Sequence, residues 1–573
     1  YPLPSLDQIF RNLARLYMES GQDEPISKEI YKYNDPISTI FNLYLKSAIF
    51  YEMLRFVVGN SVFKASMREV VRRHAFTHVK ESDLLAVFED VSGQDLSWFF
   101  EQWLHRTPTV DYSKGKIKKY KRDDKIWVTE VEVKRRGDGI MPVDVELDLG
   151  GGKKVIKRWH GKETSGTIVF ETAEKPKSVK LDPEDRIMDS NRLNNQRPRL
   201  EFRPDLPLLK YIHMPGDAIL VLWRPVIGYN KHDSIRLGFR TQSSYRAFYH
   251  NLTLEAMFGF KSKELDGKIT YSNPIGRKSL LSRYQIMARK NEGRFEADVH
   301  LVFNGSGGIL STSGRSLEAG FNFSGLLNSA YTFRRVANDT GKVRFDEWED
   351  LDILLAYLGG RARFGLGKLD SEMRFRVEMA LPGGAVQFTK ISARLEAEYQ
   401  NFGFKGQVRG NLATSLGPDR LPLQDQFHAE GAGARERFQN DLVKTGDALS
   451  SFSHRYVEGG GFLRGYAGLP LPAERYTTLN VQLEPNKLFF IFRVFGFYDT
   501  GRIWRLRDGK SITRSDAGFG ISFLGKKSPF FGGNLALFSN FSAKLFFPIW
   551  LSDPPAGEKE VQFRWYLSLG KSL

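Results

Sequence analysis

The final stretch of the chain alternates. Val561, Phe563, Trp565, Leu567 and Leu569 fall on one face of an extended strand, and Gln562, Arg564, Tyr566 and Ser568 on the other. A period of 2 sets one face against an apolar medium and the other against water or polar side chains, as in a strand that separates lipid from a lumen. The pattern recurs from about residue 208 onward. Phe295, Ala297, Val299, Leu301 and Phe303 alternate with Glu296, Asp298 and His300; Met373, Phe375, Val377 and Met379 with Arg374, Arg376 and Glu378; Ile391, Ala393, Leu395, Ala397 and Tyr399 with Ser392, Arg394, Glu396 and Glu398. Charges opposed this regularly to apolar residues exceed what a one-sided soluble sheet shows. Residues 208–573 are therefore predicted to form a large transmembrane antiparallel β-barrel. At ~20 to 25 residues per strand and turn, about 365 residues give some 14 to 18 strands, with about 16 expected.

The first 107 residues have a helical period instead. Ser5 with Gln8 reads as a capping box; Ile9, Phe10, Leu13, Leu16 and Tyr17 share a face; Gly21 stands where a C-terminal cap belongs. A second helix is predicted from about Asn42 to Val58, stopped by Gly59, and a third from Asn60 or Ser61 through Val62, Phe63, Met67, Val70 and Val71. Ser82 is expected to cap a fourth helix and Asp95 to open a short aromatic one through Trp98, Phe99, Phe100 and Trp103. Residues 108–195 return to period 2: Trp127, Thr129, Val131 and Val133 form one strand and Val143, Val145, Leu147 and Leu149 another, with a turn at Gly150, Gly151 and Gly152. Further short strands at 167–170 and 178–181 complete the pattern of a small β-sandwich. Pro198, Pro204 and Pro207 mark residues 196–207 as a linker. The fold class is multidomain: helical subdomain, small sandwich, large barrel.

Composition narrows the picture further. No stretch approaches the ~18 to 20 uninterrupted apolar residues of a membrane-spanning helix. The chain has no cysteine, which removes disulfides, thiolate metal ligands and thiol nucleophiles. Its net charge of +17 is spread over every region without a basic helix or an aromatic-interleaved patch. It fits solvated loops, lumen-lining arginines and contact with anionic lipid better than nucleic acid. The chain begins at Tyr1 and shows no signal peptide, which reads as a mature or truncated piece of a longer precursor.

Two sets of residues resemble known families. Tyr44 to Ala48, Met53 to Arg55, Gly59, Phe63, Arg72 and Arg73, Ser82 to Leu84, Ser92 to Leu96 and Phe99 to Trp103 resemble the C-terminal part of the catalytic domain of the membrane alanyl aminopeptidases, zinc peptidases of the aminopeptidase N type. The resemblance implies that Tyr44 donates a phenolic hydrogen bond to the tetrahedral oxyanion of peptide hydrolysis, a task that suits a neutral donor. That family usually has Gly where this chain has Ser47. It binds zinc through His-Glu-x-x-His and a downstream Glu, yet no His here is followed by Glu, and His74 with His78 is the only pair at helical i, i+4 spacing. The family's spacing implies zinc ligands before Tyr1, with zinc belonging to a full-length parent and none held by this chain. The sandwich also fits, since Val179 to Pro183 resembles the closing strand of the immunoglobulin-like module that often follows such a domain.

Phe462, Leu463, Arg464, Gly465 and Tyr466 resemble the inward-folded loop of the outer-membrane assembly factors, also called the bacterial surface antigen family. Phe497 to Gly501 and Asp516 to Gly520 resemble the strands that follow it. The resemblance implies that the loop arginine, Arg464, is anchored by an acidic wall residue, Asp499. Together the two likenesses imply a peptidase-type module in the periplasm of a Gram-negative bacterium, a sandwich, and an outer-membrane barrel, with peptides as substrates, outer-membrane lipid as surroundings and no nucleic-acid partner. The alternative is a non-catalytic barrel for protein insertion or translocation, carrying a peptidase-derived docking module.

Overall fold

The computed structural model describes residues 5–33, 36–123, 125–206, 209–230, 232–276, 280–305, 314–331, 348–401, 403–439, 455–467, 469, 471–485, 492–504, 510–524 and 541–571. The chain divides into two compact units: Tyr1–Val221 with Ser243–Tyr249 and Gly276–Leu280, and Leu222–Gln242 with His250–Ile275 and Leu281–Leu573.

The first unit opens with the helix Leu6–Glu19, whose N-cap Ser5 side chain accepts from the Gln8 backbone N–H at 3.2 Å. The predicted second helix differs from expectation. It is helical from Pro36 to Val58 and passes through a π-helical turn, Phe41–Lys46, between the α-helices Pro36–Ile40 and Ser47–Val58. Asn60–His74 follows as predicted. The next helix, Glu81–Ser92, is capped at Lys80 rather than at Ser82. The Asp83 carboxylate accepts the Lys80 N–H at 2.9 Å, supplying from inside the first turn what the Ser82 hydroxyl was expected to give. The aromatic helix runs Ser97–His105, with Asp95 accepting the Ser97 N–H at 3.0 Å.

The sandwich consists of two three-stranded sheets. Tyr112–Asp123, Ile126–Arg135 and Ser165–Thr172 make one, and Lys153–Trp159, Val143–Gly150 and Ser178–Leu181 the other. Inward side chains of the two sheets, Val131, Val133, Phe170, Val145, Leu147 and Leu181, join Phe50, Leu54, Phe88, Phe99 and Trp103 of the helices in one contiguous core. Residues 196–207, expected to be a bare linker, contain a strand, Arg199–Pro204. Leu200 and Phe202 point outward while Glu201 accepts from Arg203 at 2.6 Å, an alternation that the flanking prolines disguise in the sequence.

Within this unit Asp189 is fully buried, and its carboxylate accepts from the Asn191 N–H (2.8 Å), Asn195 Nδ2 (3.0 Å) and the Tyr112 N–H (3.2 Å). Burial pushes its pKa up to about 7, with Asp111 adding to the shift and the three donors opposing it. The folded state therefore holds a proton that the unfolded chain releases near pH ~4, so this contribution is complete below that pH and is lost as pH rises through about 7. Asp189→Asn should flatten the fall in helical melting temperature between pH 4 and 8, read by far-ultraviolet circular dichroism. An unchanged slope would show that Asp189 is ionised throughout.

The second unit is one large sheet. From Ala218–Asn230 to Tyr566–Lys571 the described residues hold sixteen strands longer than two residues. Each strand from Tyr249–Gly259 to Phe404–Leu416 pairs antiparallel with the next. Phe404–Leu416 then pairs with Arg475–Pro485 across a long insertion, and the antiparallel order resumes to the last strand. The sheet is mixed at one point, where Arg455 and Tyr456 run parallel to Leu567 and Ser568. Alternation divides its faces: Val299, Leu301 and Phe303 are exposed on one, while Glu296 and Asp298 are buried on the other. The last strand is shorter than its pattern predicts, beginning at Tyr566. Upstream of it Arg564 donates to Glu558 (2.7 Å) and to the carbonyls of Lys559 and Gln562, and these bonds hold the segment in a loop. Val561 and Phe563 are left exposed. No helix among the described residues is long and apolar enough to cross a membrane.

Candidate functional site

Tyr44 lies on the π-helical turn, and the polar side chains beneath it explain that turn. Asn42 is buried and donates through Nδ2 to the Tyr17 hydroxyl and to the Ser38 carbonyl, both at 2.9 Å. Lys46, four residues on, is buried as well; its Nζ donates to Asp23 Oδ1 (2.8 Å) and to the Glu24 carbonyl (2.7 Å). The Ser47 hydroxyl donates to the Asn42 carbonyl at 2.9 Å, spanning the five residues of the widened turn. Ser47, the departure from the usual glycine, thus closes the turn. Tyr17 stacks on Phe41 with ring centroids 4.8 Å apart, and burial pushes its phenol up to about 12, so it remains a neutral bridge between Asn42 and the Gln22 carbonyl.

This network holds the inner face of the turn and turns Tyr44 outward. Tyr44 is 70% exposed, and its hydroxyl has no hydrogen-bond partner among the described residues. Ile40, Tyr44, Ala48 and Tyr51 form an exposed, largely apolar stripe along the helix. A phenol with an unused hydrogen, carried on a backbone turn fixed in this way, is what a donor to an incoming oxyanion requires. From the sequence Asn42 was read only as the start of the helix, and Lys46 only as part of the run from Tyr44 to Ala48. Two polar residues at i, i+4 on the buried side of an otherwise apolar helix were the available signal.

The described residues hold no group of three or more His, Asp or Glu side chains fit to bind a metal ion. His74 is the last residue of its helix, so His78 does not share its face and the i, i+4 spacing brings no pair of ligands together. The described residues do not fit a zinc site.

The second site belongs to the large sheet. Arg464 opens a single 3-10 turn, Arg464–Tyr466, in the insertion between Phe404–Leu416 and Arg475–Pro485, and is 4% exposed. Its Nε donates to Asp499 Oδ2 at 2.8 Å, its Nη2 to Oδ1 at 2.7 Å, and its Nη1 to Gln482 Oε1 at 2.8 Å. The guanidinium also lies 4.2 Å from the Phe497 ring centroid. Asp499 lies directly opposite Asp516 on the neighbouring strand, which places both side chains beneath the loop. Gly465 lies against Asp516: its N–H donates to Asp516 Oδ1 at 2.9 Å, and a Cβ there would come within 2.5 Å of both Asp516 and Leu551 side-chain carbons. Glycine is required because the loop backbone rests directly on the wall. Asn480 ties wall to loop by donating to Asp499 Oδ1 (3.1 Å) and the Phe462 carbonyl (2.9 Å). Gln482, Asn480 and Asp516 lay outside the sequence-based site because each sits on a strand whose alternation alone accounts for a polar residue.

Residues 6–103 match the model of the Peptidase family M1 domain. No curated protein matches the chain. Among solved structures the chain is similar to CdiB from Acinetobacter baumannii, at 12% identity and a TM-score of 0.33, over 61% of this chain and 58% of that one. It is similar to BamA from Haemophilus ducreyi lacking POTRA domains 1–3, at 12% identity and a TM-score of 0.36, over 89% and 97%. It is also similar to Legionella pneumophila aminopeptidase A in complex with aspartic acid, at 17% identity and a TM-score of 0.22, over 30% and 20%. The chain therefore spans less than two thirds of the CdiB structure and a fifth of the aminopeptidase.

Proposed function

We propose that this chain is part of an outer-membrane protein in which a peptidase-type helical module is anchored by a transmembrane β-barrel, and that the module acts on peptides in the periplasm. Tyr44 is the observation that carries the reading: within the segment matching the M1 peptidase domain, it stands exposed, unpartnered and fixed from below by Asn42 and Lys46. Its role is to hold a proton at the phenolic oxygen and donate it as a hydrogen bond to the oxyanion that forms when a peptide carbonyl is attacked. Arg464 and Asp499 serve the barrel by fastening an inward loop to its wall. The face of exposed Val299, Leu301 and Phe303 supports lipid contact, and the opposite, charged face supports a wet lumen.

A form of the protein that carries the zinc ligands of the peptidase family should show chelator-sensitive aminopeptidase activity, whereas the chain of residues 1–573 should not. In the active form Tyr44→Phe should lower kcat about a hundredfold with KM nearly unchanged, because this bond strengthens only as the oxyanion develops. An unaffected kcat would remove Tyr44 from the chemistry. The exposed stripe of Ile40, Tyr44, Ala48 and Tyr51 also favours a second reading, in which the module docks a protein partner without hydrolysing it. Peptide binding by the ligand-bearing form without turnover would select that reading.

A further inference from the structure

The inner face of the large sheet carries its charges in rows. Arg361 lies directly opposite Arg374, and Arg374 directly opposite Arg394, so three arginines cross three neighbouring strands in one line. In the adjacent line Arg363 faces Glu372, Glu372 faces Glu396, and Glu396 faces Arg409. Directly opposed side chains on antiparallel strands are near neighbours, and like charges there repel.

The two carboxylates do not balance the five guanidiniums. Glu372 alone serves three of them: Arg361 at 2.5 Å, Arg363 at 2.9 Å, and Arg374. Glu396 is engaged with Arg409 at 3.0 Å. Arg394 makes no ion pair among the described residues: it donates to Asn411 Oδ1 (2.7 Å) and the Gly460 carbonyl (3.3 Å), lies 4.7 Å from the Phe462 ring centroid, and feels the charges of Glu436 and Glu396 without a direct bond to either. A cavity of about 630 Å³ opens onto this row, lined by Arg361, Arg374 and Arg394 together with Ser392 and Asn411. Its other cations are matched, Arg376 by Glu318 and Glu378, Lys390 by Glu378, and Arg435 by Asp425. Glu436, also on the cavity wall, accepts the Gly433 N–H and its charge offsets part of that of Arg394, so Glu372, Glu396 and Glu436 together face five guanidiniums. The unmatched positive charge is thus concentrated in the arginine row.

We propose that the row formed by Arg361, Arg374 and Arg394 is a binding site for a diphosphate group. Guanidinium forks pair bidentately with phosphoryl oxygens, and forks repeated at a strand spacing of about 4.8 Å suit two linked phosphoryl groups better than one carboxylate, which fills a single fork. The group can belong to a free diphosphate compound or to a lipid headgroup, and both offer the same oxygens.

The test is titration calorimetry of the purified full chain in an uncharged detergent, with inorganic pyrophosphate in one arm and micelles containing a prenyl diphosphate in the other. Saturable pyrophosphate binding is expected, weakened about tenfold or more by Arg361→Gln and by Arg394→Gln, since each removes a charge-assisted contact. Arg493→Gln, the same change of charge elsewhere in the sheet, should bind as the parent does. Binding confined to the prenyl arm, with the same sensitivity to the row, would assign the site to a lipid headgroup. Arg394 also contacts the loop at Gly460 and Phe462, so Arg361→Gln, at a residue with no such contact, separates ligand binding from loop placement. No saturable binding in either arm, or equal binding by Arg361→Gln and Arg493→Gln, overturns the proposal.

Discussion

Replacing Arg464 with alanine should lower the temperature at which the folded protein converts to its slow-migrating form on a semi-denaturing gel, more than any neutral surface substitution does. The guanidinium is buried against Asp499, and Asp499 stands directly opposite Asp516. Without the cation, the buried Asp499 carboxylate keeps only neutral hydrogen-bond donors in a site that water reaches poorly. Breaking a buried pair from one side typically costs ~3 to 5 kcal/mol, because a charge is left uncompensated. Asp499→Ala should also destabilise, though Arg464 would keep Gln482 as a partner. The decisive measurement is the double mutant: residues in one network are not additive, so Arg464→Ala with Asp499→Ala should lose less than the sum of the single losses. Strict additivity would mean that the loop is held by Gly465, Tyr466 and Asn480 and that the ion pair is incidental.

The ease of reading this site and the difficulty of reading Tyr44's surroundings have one physical origin. A strand with a lipid-like face and a charged face writes its period into the sequence at every second residue, so alternation alone places the strands holding Phe295 to Phe303 and Ile391 to Tyr399. The strands that alternation does not reveal, Tyr112–Asp123 and Lys153–Trp159, are edge strands of the sandwich sheets. Each is rich in lysine, as edges that must not pair with another chain often are, and lysines on both faces erase the alternation. The π-helical turn was hidden for another reason. Its hydrophobic spacing is that of an ordinary helix, and the extra residue is stabilised by tertiary partners, Tyr17, Asp23 and Glu24, that a local pattern does not contain. Arg464 was legible through a short motif of arginine, glycine and tyrosine; its partner Gln482 was not, and Asp516 was read only as the start of a strand and not as the acceptor for Gly465, because the register that brings three strands under one loop is set by the whole sheet.

Long-range register also creates the second large expected effect, at Arg246. This residue lies in the turn between the strands Ser234–Tyr245 and Tyr249–Gly259 and is almost entirely buried within the first unit. Its Nη1 donates to Glu19 Oε1 at 2.6 Å, and its Nη2 donates to the carbonyls of Ser190 (2.8 Å) and Asp189 (3.0 Å). The other Glu19 oxygen accepts from the Tyr249 hydroxyl at 2.7 Å. Arg246 and Ala247 both have positive φ, a conformation unfavourable to residues with a side chain and maintained here by these bonds. Arg246→Met should therefore leave Glu19 buried with only a phenol for a partner, release two carbonyls, and remove the restraint on the turn. A loss of ~3 to 5 kcal/mol is expected from the uncompensated carboxylate alone. Arg246→Lys should recover only part of it, since one ammonium cannot reproduce the planar fork that reaches Glu19 and both carbonyls. Glu19 and Arg246 are 227 residues apart in sequence, so their bond forms only after both ends of the first unit have folded. The far-ultraviolet helical melt of the full chain should shift strongly in Arg246→Met and modestly in Glu19→Gln, which removes the charge but retains an acceptor for the arginine. Equal melts for Arg246→Met and the parent would show that the first unit closes on its hydrophobic core without this clamp.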